Sequence, residues 1–121
     1  MAWEVEFTDE FAAWWNDLSA EEQEEINAKV DLLEERGPAL PRPHADRIES
    51  SRHSNMKELR GKVNDRHLRV LFAFDPRPTA LLLLGGDKTG DSKWYDKFVP
   101  IADDLFDRHL KDVAQEQQKK K

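Results

Sequence analysis

The chain has 121 residues, of which 36% are charged and 38% hydrophobic, with a formal net charge of −6 and no cysteine. That length holds one domain around one core. The missing cysteine excludes a disulfide framework, a thiolate zinc site and a cysteine nucleophile, and no apolar run approaches the length of a membrane span.

Met1-Ala2-Trp3-Glu4 lacks the basic and apolar regions of a secretory signal, so the expected location is the cytoplasm. Trp3-Glu4-Val5-Glu6-Phe7 alternates apolar and acidic residues and predicts a half-buried strand. Thr8 or Asp9 then offers a helix N-cap, followed by Phe11, Trp14 or Trp15, and Leu18 at helical spacing. Adjacent tryptophans on a helix diverge by about 100°, so one is expected in the core and the other partly exposed. Ser19-Ala20-Glu21-Glu22 reads as a capping box, opening a second helix with Ile26, Val30 and Leu33 on its apolar stripe. Gly37-Pro38 stops it.

Gly37 to Ser54 holds four helix breakers and reads as an extended surface connection. Met56 to Arg60 predicts a short strand and Arg66 to Asp75 a longer one. In the longer strand Val70, Phe72 and Phe74 share one face, with Arg69, Leu71 and Ala73 on the other. After a turn at Asp75-Pro76-Arg77-Pro78 comes a strand from Thr79 to Leu84. Its run Leu81-Leu82-Leu83-Leu84 has no polar side, which predicts a central strand covered on both faces. Gly85 to Gly90 is expected as a flexible loop. Pro100 is expected to open a last helix in which Ile101, Leu105, Phe106 and His109 share a face. The fold class is α+β: an N-terminal strand and helical hairpin packed on a small antiparallel sheet, with a C-terminal helix. One domain is expected over residues 1–113, with a polar, frayed tail over 114–121.

Charge divides the chain. Residues 1–36 carry twelve acidic and two basic side chains, whereas residues 37–121 carry thirteen and seventeen. The stretch from Arg42 to Arg69 is the most basic, with eight Arg or Lys against four Asp or Glu, and with His44, His53 and His67. This asymmetry predicts one side facing a polyanion and another solvated or facing a partner. Asp103-Asp104 is explained by the dipole of the last helix. The four histidines have no metal-ligand spacing, and Gly85-Gly86-Asp87-Lys88-Thr89-Gly90 lacks the spacing of a nucleotide-binding loop, so no cofactor and no metal are expected. What remains is a set of cationic and phenolic groups: Lys57, Arg60, Lys62, Arg69, Lys88 and Tyr95, with His53 and His67 as possible bases. Such groups can cleave RNA without metal, by taking the 2′-hydroxyl proton, holding charge at phosphorus and protonating the leaving 5′ oxygen.

Three segments carry a resemblance. They are Arg42-Pro43-His44-Ala45-Asp46, then Ser51 to Arg60, then Leu68 to Pro76, continuing through Leu84 to Gly90 and on to Trp94-Tyr95. Together they make the chain similar to the RelE/ParE superfamily of toxins from type II toxin–antitoxin systems, and most of all to its phage-derived, HigB-like branch. The resemblance implies a β-α-α-β-β-β core and a ribosome-dependent, metal-independent mRNA endoribonuclease that inhibits translation. It also implies a cognate antitoxin and the ribosomal A site as partners. By position it implies Arg69, Lys88, Tyr95 and Lys57 as catalytic residues, and Arg60, Lys62, Arg66, His67 and Trp94 as RNA-binding. Strict alternation puts Lys57 and Arg60 on opposite faces of their strand, so at least one is expected to lie away from the chemistry. Two alternatives stay open: a ParE-like gyrase poison acting by protein binding, and an inactive relative that only binds antitoxin. Arg69→Ala is expected to remove activity with little loss of stability, because it removes no core volume.

Overall fold

In the computed structural model, which describes residues 2–119, nine short elements build a sheet sandwiched between helices. Strand β1 (Glu4–Phe7) leads into helix α1 (Asp9–Asn16) and helix α2 (Ala20–Arg36). A single 3-10 turn (Gly37–Ala39) precedes β2 (Ala45–Arg47), β3 (Lys57–Val63), β4 (Arg66–Phe74) and β5 (Thr79–Asp87), and α3 (Trp94–Lys119) closes the chain. The five strands lie in the order β1-β5-β4-β3-β2. β2, β3, β4 and β5 pair antiparallel, but β1 joins β5 in parallel, so the sheet is mixed rather than wholly antiparallel. Among the described residues no helix is long and apolar enough to cross a membrane.

Local chemistry sets the helix boundaries. The Thr8 hydroxyl accepts the Phe11 N–H and caps α1, while also donating to the Leu83 carbonyl at 2.7 Å. Ser19 and Glu22 form the reciprocal capping box of α2. Gly37 ends that helix at φ 59, where a side chain would be strained and would collide with the Trp3 indole.

Two cores follow from strand alternation. On one face Phe11, Ile26, Leu33, Leu59, Leu68, Val70, Phe72, Ala80 and Leu82 pack beneath α1 and α2. On the other, Met56, Leu71, Ala73, Leu81, Leu83, Trp94, Val99, Leu105 and Phe106 pack beneath α3. The leucine run in β5 is therefore covered on both faces, as its lack of a polar side predicts. A bulge shifts the pairing from Leu71↔Leu84 to Phe72↔Leu82, and both Leu83 and Leu84 pack on the α3 side.

Five expectations are corrected. Gly85, Gly86 and Asp87 continue β5 instead of forming a loop, because the antiparallel partner strand extends to Leu68 and keeps them paired. Pro100 lies inside α3, not at its start: the helix already begins at Trp94, and the proline faces solvent. Ile101 does not share the buried face and is 44% exposed. Helix α3 continues past Ala114 to Lys119 where a frayed tail was expected; Lys120 and Lys121 lie outside the described residues. Both Trp14 and Trp15 are half-buried, so neither takes the fully buried core position.

Helix α3 is also pinned to the β4–β5 turn. Asp75, whose carboxylate is fully buried, accepts from His109 at 2.7 Å and from Arg77 at 2.6 Å, and Arg77 reaches on to Glu6 of β1 at 2.7 Å. Burial pushes the Asp75 carboxyl up, but the hydrogen bonds from Arg77, His109 and the Arg77 and Thr79 backbone outweigh it, and the group settles at about 2. A carboxyl depressed in the folded state stabilises above its unfolded value and loses that contribution as pH falls through the folded one. Unfolding free energy should therefore drop by about 2 kcal/mol between pH 4 and pH 2 from this group. Asp75→Asn should be less stable at neutral pH and flatter over that acid limb, as read by urea denaturation at each pH.

Candidate active site

The site grows from one face of β3. Alternation sends Lys57, Leu59, Gly61 and Val63 toward α2, and Glu58, Arg60 and Lys62 toward the α3 face. Strand pairing then sets neighbours. Arg60 lies directly across from Arg69 of β4, and Arg69 across from Gly86 of β5; Glu58 lies across from Asp46 of β2. Two arginines opposite one another repel. Glu58 and Asp46 balance them.

Glu58 is the centre of the cluster. One carboxylate oxygen accepts from the Tyr95 hydroxyl at 2.7 Å and pairs with Arg69 Nε at 3.3 Å; the other accepts from Arg60 Nε at 3.3 Å and Nη2 at 3.2 Å. Arg60 also reaches Asp46 at 3.0 Å, and Arg42 closes the outer end on Asp46 at 2.8 Å. Arg69 is only 9% exposed; it donates to the Leu68 carbonyl at 2.9 Å and lies 3.4 Å from the Tyr95 hydroxyl. The Tyr95 phenol is raised above its ordinary value, first by burial and then by its hydrogen bond to Glu58.

Glycine lets the helix reach the sheet. A Cβ on Gly86 would stand 2.7 Å from Trp94 Nε1 and 2.9 Å from Cζ2, so only glycine allows the indole to lie on β5. Trp94 is thereby buried, and the next residue, Tyr95, is delivered to Glu58 and Arg69. Lys88 comes from the loop after β5. Its N–H donates to the His67 carbonyl at 3.0 Å, while Thr89 accepts from the His67 N–H, and these contacts bring the ammonium 6.0 Å from the centre of the Tyr95 ring. Asp46, Ile48, Glu49, Glu58, Arg60 and Tyr95 line an open cleft above the cluster.

Of the residues singled out by sequence, Arg69, Tyr95, Lys88 and Arg60 come together. His67 and exposed Lys62 flank them on the same face, paired across β3 and β4. Lys57 does not join: it lies on the opposite face, bonded to the Pro38 carbonyl at 2.8 Å. Arg66 does not join either, because its guanidinium bridges Glu22 of α2 and Asp87 at the end of β5. Trp94 is 2% exposed and forms part of the core, where no base could stack on it. His53 is held by Asp107 of α3 at 2.7 Å, and its neighbour Arg52 bonds Asp104 and Asp107, which fixes the loop before β3 to that helix.

Sequence reasoning missed Glu58 and Asp46. The signal was there in Glu58-Leu59-Arg60: residues two apart on a strand share a face, so the glutamate belongs beside the arginine. The basic stretch from Arg42 to Arg69 is accordingly not a bare cationic stripe. Arg42, Arg52, Arg60, Arg66 and Arg69 all pair with carboxylates. Among the described residues no cluster of three or more His, Asp or Glu side chains is arranged to hold a metal ion.

Comparison with known proteins agrees with this architecture. Residues 13–107, which contain the whole cluster, match the family described as phage-derived protein Gp49-like (DUF891). Two Mycobacterium tuberculosis proteins named as candidate toxins are similar in sequence. HigB2 is 46% identical over 101 residues, taking in 82% of this chain and 50% of that protein; HigB3 is 47% identical over 98 residues, taking in 80% and 84%. The chain thus spans about half the length of HigB2. Among solved structures, a free mutant form of the Escherichia coli toxin RelE superposes with a TM-score of 0.58 at 15% identity, covering 83% of this chain and 97% of that one. An archaeal RelE–RelB complex from Pyrococcus horikoshii gives 0.55 at 18% identity, covering 76% and 100%. At those identities the likeness is one of fold.

The buried ion pair changes the expectation for Arg69→Ala. Removing the guanidinium leaves Glu58 with fewer partners in a nearly dry site, so the variant should lose about 1–3 kcal/mol. Arg69→Ala with Glu58→Gln should lose less than the sum of the two single changes, measured as a double-mutant cycle in urea. Gly86→Ala should also cost about 1–3 kcal/mol by overpacking against Trp94, and its displacement of the neighbouring phenol should appear as a change in near-ultraviolet circular dichroism.

Proposed function

We propose that this chain, which belongs to the phage-derived Gp49-like family and to the HigB-like branch of the RelE superfamily, is the toxin of a type II toxin–antitoxin pair and cuts mRNA on the ribosome. The observation that carries the reading is the convergence of Glu58, Arg69 and Tyr95 within hydrogen-bond reach, with Arg60 and Lys88 beside them. RNA cleavage by internal transfer needs a base, cations at phosphorus and an acid. Arg60 and Arg69 are the cations. In the unbound protein they are held by Glu58, and a scissile phosphate competes for the same N–H groups. As they turn to it, Glu58 is released to take the 2′-hydroxyl proton. The 2′ oxygen then forms its bond to phosphorus, the bond to the 5′ oxygen breaks, and the Lys88 ammonium gives that oxygen its proton. The products are a 2′,3′-cyclic phosphate and a 5′-hydroxyl end. Tyr95 positions Glu58 and Arg69 while the charge moves.

A cleft whose arginines are already paired has weak intrinsic attraction for RNA, and the chain as a whole is acidic. This supports dependence on the ribosome, which supplies a fixed mRNA at high local concentration. An antitoxin partner is supported by the structural likeness to a RelE solved with RelB.

Primer extension on a reporter mRNA in a cell-free translation reaction tests the reading. Cuts should appear only when ribosomes are present. Tyr95→Phe and Lys88→Ala should each slow cleavage about 10²–10⁴-fold, and Arg69→Lys, which keeps the charge but loses the planar fork, should be similarly impaired. Intact mRNA with impaired gyrase supercoiling would select the poison alternative; intact mRNA with neither effect would select the inactive relative.

A further inference from the structure

The acidic third of the chain has no part in the cleft. Val5 and Phe7 of β1, Phe11 and Trp15 of α1 and Val30 of α2 wall an apolar groove of about 520 Å³. It opens at the outer edge of the sheet, where β1 pairs with β5 alone. Phe7 is 62% exposed, with its ring tilted on Phe11 at 6.1 Å. The groove is built by backbone as well as side chains: the Trp3 N–H donates to the Glu34 carbonyl at 2.7 Å and ties the start of β1 to α2. An exposed aromatic over a preformed apolar recess marks an interaction site.

Charge selects the occupant. Glu4 and Glu34 line the groove, Asp31 and Glu35 adjoin it, and residues 1–36 carry twelve acidic against two basic side chains. That field repels nucleic acid and anionic lipid. A second copy meeting the same groove across a two-fold axis would bring acidic rim against acidic rim. A basic segment with large apolar side chains satisfies both floor and rim.

We propose that the groove docks a basic, apolar-anchored segment of a partner polypeptide, on the opposite face and opposite edge of the sheet from the cationic cleft. If the toxin–antitoxin reading above holds, on which this identification rests, that segment belongs to the antitoxin and grips the toxin away from its chemistry.

The test uses the full chain and two variants outside the cleft, Phe7→Ser and the double change Glu4→Lys with Glu34→Lys. Short peptides alternating lysine with leucine, glutamate with leucine, or lysine with serine are titrated in, with tryptophan fluorescence as the signal and thermal melts confirming the fold. The lysine–leucine peptide should bind the wild type about tenfold or more tightly than either control, and bind Phe7→Ser at least about tenfold more weakly. The double variant should prefer the glutamate–leucine peptide. Binding that ignores Phe7 or the sign of the rim overturns the proposal, as does concentration-dependent dimerisation abolished by Phe7→Ser. In cells, the antitoxin from the same operon should rescue growth from the wild type but not from Phe7→Ser. Equal rescue of both overturns the docking site and leaves the toxin–antitoxin reading standing. Rescue of neither overturns that reading instead, and the peptide titration then decides the groove by itself.

Discussion

One buried carboxylate ties the molecule together where it matters most. Glu58 stands on β3, takes its contacts from Arg60 on the same strand, Arg69 on β4 and Tyr95 on α3, and is nearly closed to water. Without it two arginines would face each other across the sheet with nothing between them. With it, sheet and closing helix share an electrostatic contact that also sets the spacing of the cleft. The contact depends on Gly86, because a side chain there would hold Trp94 off the sheet and carry Tyr95 out of reach. Packing and charge are thus one constraint at this point.

The same economy runs through the rest of the charge distribution. Nearly every arginine in the basic stretch is matched by an acid from another element: Arg52 by α3, Arg66 by α2 and β5, Arg60 by β2. These pairs hold elements in register more than they attract ligands, since half-exposed pairs contribute little stability singly. Lys88 and Lys62 make no ion pair among the described residues, and they flank the cluster at the end where the β3–β4 hairpin meets the loop after β5.

Much of this was legible in the sequence. The alternation of Leu68 to Phe74 set Val70, Phe72 and Phe74 apart from Arg69, Leu71 and Ala73, and Ser19 with Glu22 marked the start of the second helix; that the second face is also covered makes two cores where the length suggested one. Residues two apart on a strand could have assigned Glu58 to Arg60. The rest depended on tertiary contacts that no local pattern encodes. Gly85 and Gly86 read as loop because glycine weakens a strand, yet two tryptophans packed against them keep them in one. The resemblance implied Trp94 as RNA-binding, but its burial is decided by the sheet beneath it. Pro100 read as a helix start, whereas the turn before it is held by core packing of Trp94 and Val99. The burial of Arg69, which removes the expectation of a free cation, follows from how closely α3 sits, and spacing along β4 says nothing of that.

The parallel pairing of β1 with β5 has a kinetic meaning. Glu4 finds its partner at Thr79, so the first strand cannot take its place until the last strand exists. Contacts of such long sequence separation close large loops and slow folding. The cleft is later still, since its phenol belongs to the residue after Trp94. During synthesis the helical hairpin emerges before β2 to β5, with no sheet to cover and no assembled cluster behind it. The charge cluster around Glu58 therefore assembles only after synthesis has passed Tyr95, and α3 must then fold onto a sheet that is already in place.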